Sequence, residues 1–190
     1  MLTDEQILQD LEKLKTIAAD HKAVGSEYET ETATIAGLEL DVFKNIPENL
    51  GELYRKGLVA GDKDFLVYQN ERFSFEEAFD LARRMARVLL EQFQVKPGDS
   101  VAVCARNSPE WCISYMAISL MGAIVVPMNS WWKGPELKYG LNDSGSKLIF
   151  IDPARLSLLE PFLGELNVEI VQIKPELETV FPEFYELAKS

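Results

Sequence analysis

The sequence predicts an α/β protein with a mainly parallel sheet covered by helices on both faces. Three observations predict it. Val101–Asn129 reads as strand, apolar helix and strand with short connections, which is a βαβ unit. Two further strand-like apolar runs follow, Lys147–Asp152 and Val168–Ile173, separated by a helical stretch. The 190 residues are 47% apolar and 10% aromatic, enough for a real core and unlike a disordered chain.

The elements follow from local signals. Thr3 and Gln6 form a capping box, and Ile7, Leu11, Leu14 and Ala18 recur at helical spacing, so 4–20 reads as an amphipathic helix. It is expected to be an arm packed on the body or a dimer contact. Residues 24–36 carry no clear period, whereas Leu38–Phe43 alternates like a strand. Pro47 is expected to open a short helix over 48–58. Phe65–Tyr68 and Arg72–Phe75 flank Gln69-Asn70-Glu71 and read as a β-hairpin. Ser74 and Glu77 make a second capping box, opening a helix whose apolar face is Phe75, Phe79, Ala82, Ala86, Leu89 and Phe93. Arg83, Arg84 and Arg87 fall on its other faces and read as solvated.

Pro97-Gly98-Asp99 is a turn into Val101–Ala105, a strand buried on both faces. Ser108 is an N-cap with Pro109 at the first helical position, and Trp111–Met121 is apolar on nearly every side. That helix should be buried and stop at Gly122. Ala123–Val126 is expected to be a second buried strand. From Trp111 to Trp132 no residue is charged. Gly122 and Pro127 split this run into helix and strand, so it is not read as a membrane span. A helix over about 134–142, one over 154–166 interrupted at Pro161, and a helical tail over 181–189 complete the order. Ser144-Gly145-Ser146-Lys147 leaves a helix and enters a strand, the reverse of a phosphate loop.

Charge and composition exclude several functions. The net charge is −12, with the acidic excess at the two ends: residues 1–64 carry 14 acids and 7 bases, and 161–190 carry 6 and 2. An acidic chain is a poor nucleic-acid partner. Cys104 and Cys112 are expected to be reduced core cysteines. His21 is the only histidine and reads as a surface residue at a helix end. Met1–Glu5 lacks the basic and apolar regions of a secretion leader, so a cytoplasmic location is expected.

Several stretches together resemble a known family. Arg72-Phe73-Ser74-Phe75-Glu76-Glu77-Ala78 resembles the LTYxEL stretch of the adenylate-forming, AMP-binding superfamily, with Phe at two positions and Ala at the final Leu. Leu120–Asn129 resembles its LKxGxxxVPxN stretch. Gly37–Pro47, Pro97-Gly98-Asp99, Glu136-Leu137 and Asp143-Ser144-Gly145 fit in order around these two. The chain from about Phe43 onward therefore resembles the N-terminal part of an acyl-CoA synthetase of the fatty-acid–CoA ligase type. The helical arm at 1–22, read from its spacing, has no counterpart in that family; the resemblance implies an incomplete ligase subdomain at 23–190. It implies a full-length parent that joins a carboxylic, fatty acid to the α-phosphate of ATP, then passes the acyl group to coenzyme A. It also implies magnesium for that parent. The phosphate loop, acidic metal site and C-terminal lysine of such enzymes have no counterpart here, so no catalytic, cofactor-binding or metal residue is assigned. The chain alone is expected to be inactive. A standalone binding or regulatory module of the same fold is the alternative.

A ligand of an open parallel sheet sits beyond the carboxyl ends of its strands. Those ends are Arg106-Asn107-Ser108, Met128-Asn129-Ser130 and Asp152. Asn107, Asn129, Trp131 and Trp132 are the candidate substrate-pocket residues, the two Trp serving as pocket wall, core cover or contact with further protein. The expected partners are the remainder of a parent ligase and a second copy meeting through exposed apolar surface.

Overall fold

The computed structural model describes residues 3–173 and 183–189. The chain divides into two compact units, 1–48 and 49–190.

In the first unit, helix α1 spans Asp4–His21, with the Thr3–Gln6 capping box formed and no residue buried. Strands β1 (Thr30–Ile35) and β2 (Leu38–Phe43) pair antiparallel. β1 lies in the stretch whose sequence has no clear period. Tyr28 links the hairpin to α1, lying edge-on to His21 and to Phe43. The Lys44 ammonium, 2.8 Å away, and the Gly25 N–H hold the Glu29 carboxyl below its ordinary range.

The second unit is built on a four-stranded sheet: β5 (Ser100–Cys104), β6 (Ile124–Pro127), β7 (Leu148–Ile151) and β8 (Glu169–Gln172), ordered β6-β5-β7-β8 and parallel throughout. Before it come α2 (Leu50–Gly57), the hairpin β3 (Asp64–Tyr68) and β4 (Glu71–Ser74), and α3 (Phe75–Glu91). Helices α4 (Pro109–Leu120), α5 (Gly134–Ser144) and α6 (Pro153–Leu159) connect the sheet strands, and α7 spans Phe184–Ala188. Phe181 and Pro182 of the expected tail lie outside the described residues.

Strand side chains alternate between two cores. Val101, Val103, Leu148, Phe150 and Val171 face α3, α4 and α7, meeting Ala82, Met85, Ile113, Ala117 and Phe184. Ala102, Cys104, Ile149, Ile151 and Ile170 face α5 and α6, meeting Leu137, Leu141, Leu156 and Leu159. The two-faced layering predicted from sequence is thus present. α7 is tied down by Phe184 and by the Tyr185 hydroxyl, which donates to the fully buried Glu110 carboxylate at 2.7 Å. At the amino end of the sheet, the Lys147 ammonium 2.8 Å from Asp99 and the Lys96 N–H lower the Asp99 pKa.

Three details correct the sequence reading, and a fourth agrees with it. β6 is not buried on both faces: it is the edge strand, and Ile124 is 53% exposed. Pro127 fits there, since an edge strand can spare the ladder donor that proline lacks. Cys112 is half-buried on α4, so only Cys104 is a core cysteine. The buried stripe of α3 is Ala78, Ala82, Met85, Val88 and Leu89, with Phe79, Ala86 and Phe93 only partly buried beside it. Small side chains let α3 lie close to α4, and the rings flank the contact. The stretch expected to be helical over 154–166 with an interruption at Pro161 is α6 followed by a 3-10 turn, Glu160–Glu165, with Pro161 in the turn, so the break lies where the sequence put it.

The uncharged run divides as expected into α4, a turn at Gly122 with φ of 75°, and β6. Among the described residues no helix is long and apolar enough to cross a membrane.

Candidate functional site

The chain passes from β5 outward to β6, then back across β5 to β7, so its direction reverses between β5 and β7. A crevice opens at such a reversal beyond the carboxyl ends of the strands. Here it is a cavity of about 260 Å³ lined by Tyr68, Ala105, Arg106, Asn107, Ser108, Asp152, Pro153, Ala154, Arg155 and Ile173.

Its floor is a clamp on Asp152. This residue ends β7 and caps α6, and its carboxylate accepts from the Arg155 N–H at 3.0 Å. The same carboxylate accepts from the Arg106 N–H, just past β5, at 3.0 Å. Arg155 Nη1 lies 3.1 Å from Asp152 Oδ2, and each side chain is only 14% exposed. Arg155 Nε donates to the Ser130 carbonyl, beyond β6, at 2.9 Å. One ion pair thus ties together the exits of three strands. Cys104 lies at its edge, and its thiol is pushed up to about 12 by burial first and by the Asp152 charge second, with Arg155 opposing.

That shift carries a sign. A thiol ionising near 9.0 when unfolded and near 12 when folded contributes stability fully present below pH 9, lost as pH rises toward 12. Burial also raises the Tyr185 pKa, and the hydroxyl's bond to Glu110 raises it further, so it acts in the same direction. Unfolding free energy from urea melts should fall above pH 9, by about 1.4 kcal/mol per pH unit for the Cys104 thiol, with Tyr185 adding to the fall only above its ordinary value of 10.0. Cys104→Ala should flatten this fall; a slope unchanged in that variant would remove the thiol as its cause.

Above the clamp the edge is open. Asn107 and Asn129 are exposed. The Asn129 side chain accepts from the Trp131 N–H at 2.9 Å, which turns the chain sharply after β6. Trp131 and Trp132 therefore part. Trp131 is 72% exposed, with the Arg106 guanidinium 4.8 Å from its ring centre. Trp132 packs on the α5–α6 core, close over Gly140. The structure thus gathers Asn107, Asn129 and Trp131 at one edge and turns Trp132 away from it. Arg155 and Tyr68 escaped the sequence reading. The spacing of Arg155 three residues after an N-cap Asp was the available signal for the first; the second arrives from a separate hairpin.

The residues present do not fit a nucleotide's phosphates. A phosphate cradle needs free amides at a helix N-terminus. At α4, Pro109 has no N–H and Ser108 occupies that of Trp111 at 3.3 Å. At α6 the Asp152 carboxylate already caps the helix and would repel an anion. Gly145 lies at the opposite end of the sheet, capping α5 in the left-handed conformation. No group of three or more His, Cys, Asp or Glu side chains suited to a metal occurs among the described residues. No step through ATP, magnesium or coenzyme A is therefore assigned to these residues.

The family model for AMP-binding enzymes matches residues 54–186. The chain belongs to that family. The chain is 29% identical over 125 residues to 4-hydroxybutyrate–CoA ligase 2 of Metallosphaera sedula, covering 66% of its own length and 21% of the ligase. It is 36% identical over 78 residues to a long-chain-fatty-acid–CoA ligase of Mycobacterium tuberculosis, covering 41% of itself and 15% of that protein. The crystal structure of an anthranilate CoA ligase with anthranoyl-AMP superposes with a TM-score of 0.71 at 25% identity, over 76% of this chain and 29% of the other. The chain thus spans only 15% to 21% of the length of these curated ligases. The resemblance to the N-terminal part of an acyl-CoA synthetase, and the α/β fold it implied, both stand.

Proposed function

We propose that this chain is the N-terminal subdomain of an acid–CoA ligase and serves as the scaffold beside which activation takes place. The family match over 54–186 carries this reading. The edge geometry supports it: the crevice floor is sealed by Asp152 and Arg155, while Asn107, Asn129 and Trp131 face outward. In the full-length ligase, ATP, magnesium and coenzyme A would be handled by other segments. The acid would be a carboxylic, fatty one, with Trp131 forming part of the wall along its chain and Trp132 supporting that wall from the core. The partners proposed are the remainder of the ligase and a second copy of the chain, in the cytoplasm, with no nucleic acid.

Residues 1–190 alone should then give no ATP–pyrophosphate exchange with any fatty or aromatic acid. Adenylyl transfer needs positioned cations and amide dipoles around the phosphates, and the described residues offer no cradle for them. Exchange above a blank that survived repurification would sink the scaffold reading. In a longer chain that does carry a phosphate loop, Trp131→Ala should raise KM for a long-chain acid at least about tenfold, as expected if the bound acyl chain lies against this ring, and leave acetate unaffected.

A further inference from the structure

α1 carries an apolar seam that is exposed among the described residues. Ile7, Leu8, Leu11, Leu14 and Ile17 are between 44% and 64% exposed, and the helix has no buried residue. Ile7, Leu11, Leu14 and Ala18 alternate spacings of four and three, the spacing that keeps one side of a helix against a partner helix. Leu8 and Ile17 flank this seam. Glu5, Glu12, Lys13 and Asp20 lie away from it, and the seam ends in Asp4 at one terminus and His21 at the other.

We propose that α1 pairs antiparallel with α1 of a second copy. The seam is self-complementary in that orientation alone. A two-fold axis between Leu11 and Leu14 sets Leu11 against the second copy's Leu14 and Ile7 against its Ala18, large against small. It sets Asp4 against the second copy's His21, whose ring N–H can donate to the carboxylate. The acidic first turn, Asp4 and Glu5, faces a last turn carrying His21 with Lys22 as its C-cap, and the helix dipoles oppose. A parallel pair would stack Asp4 on Asp4, His21 on His21 and leave a gap at Ala18. A lipid surface fits poorly, because helices that lie on membranes carry Lys and Arg on the polar face and this face is mainly acidic.

The inference is independent of the ligase reading and narrows the proposed self-association to one element. Sedimentation of residues 1–190 across a dilution series should show a monomer–dimer equilibrium, with a Kd on the order of 10 μM for so short a seam. Leu11→Glu and Leu14→Glu should each weaken it at least about tenfold, since a charge would enter an apolar layer. Because α1 buries nothing within the chain, both variants should keep the parent's urea midpoint. Copies carrying Ile7→Cys should cross-link to copies carrying Ala18→Cys. Cross-linking of Ile7→Cys to itself would overturn the antiparallel order, since those residues would lie about 16 Å apart. A strict monomer would overturn the pairing itself, as would Leu11-dependent sedimentation with phosphatidylglycerol vesicles. A dimer indifferent to both Glu substitutions would overturn it too, while leaving self-association through another surface.

Discussion

Replacing Gly134 by Ala is expected to destabilise the protein by about 3 kcal/mol or more, a large share of the total for a domain of this size. Gly134 is buried at the start of α5. A Cβ there would overlap the Leu158 carbonyl oxygen and stand 2.5 Å from Phe162 Cε2. The first obstacle is backbone, at the end of α6, and cannot rotate aside. The second is a ring flanked by the Lys138 ammonium, 5.7 Å from its centre. α5 would have to withdraw from α6, opening the core around Leu137, Leu156 and Leu159. Gly164 supplies the control. A Cβ there meets nothing within 4 Å, so Gly164→Ala should stay within about 0.5 kcal/mol of the parent. Urea unfolding followed by circular dichroism measures both. A Gly134→Ala variant as stable as Gly164→Ala would mean that α5 and α6 do not approach as described.

Gly134 also shows where the sequence is legible and where it is not. Its place at a helix start is local information: Lys133–Glu136 capping and Pro135 announce it. The reason it must be glycine is not local, because Leu158 and Phe162 arrive from a different element. The same division holds along the chain. Ser74, Ser108 and Gly145 act as caps where the sequence placed them, since capping needs only near neighbours. β1 was not readable because Thr30–Ile35 is largely polar by itself. Pairing sets Ala33 opposite Leu40 and Ile35 opposite Leu38, and only the pair makes an apolar face. The exposure of β6 depends on strand order, which puts β7 on the other side of β5 and leaves β6 at the edge. At the edge of the sheet, Asn107, Asn129 and Asp152 followed from strand ends alone. The parting of Trp131 and Trp132 did not: it turns on the bond from the Trp131 N–H to the Asn129 side chain, and adjacent residues give no hint of it.

Asp152→Ala is expected to cost about 3–5 kcal/mol, because it removes three things at once. The Arg155 guanidinium, largely buried, loses its carboxylate. α6 loses its N-cap, and the Arg106 N–H loses its acceptor. Asp152→Asn separates these effects. A neutral side-chain oxygen can still cap α6 but cannot balance a buried cation, so its cost should fall between that of Ala and the parent, at about 2 kcal/mol. Arg155→Ala leaves the cap intact but frees a carboxylate that is equally buried. If the pair works as one clamp, the double variant should be less damaging than the two single changes added, by about 1–2 kcal/mol. Strict additivity would mean that Asp152 acts as a cap and Arg155 as a tether to the Ser130 carbonyl, each by itself. Coupling would mean that the exits of β5, β6 and β7 are held by one interaction, so that loosening it frees the Arg106–Trp131 edge as a unit. Quenching of Trp131 fluorescence by iodide distinguishes the two. It should rise in Asp152→Asn and Arg155→Ala alike if the edge is held by the pair, and in Arg155→Ala alone if it is held by the tether.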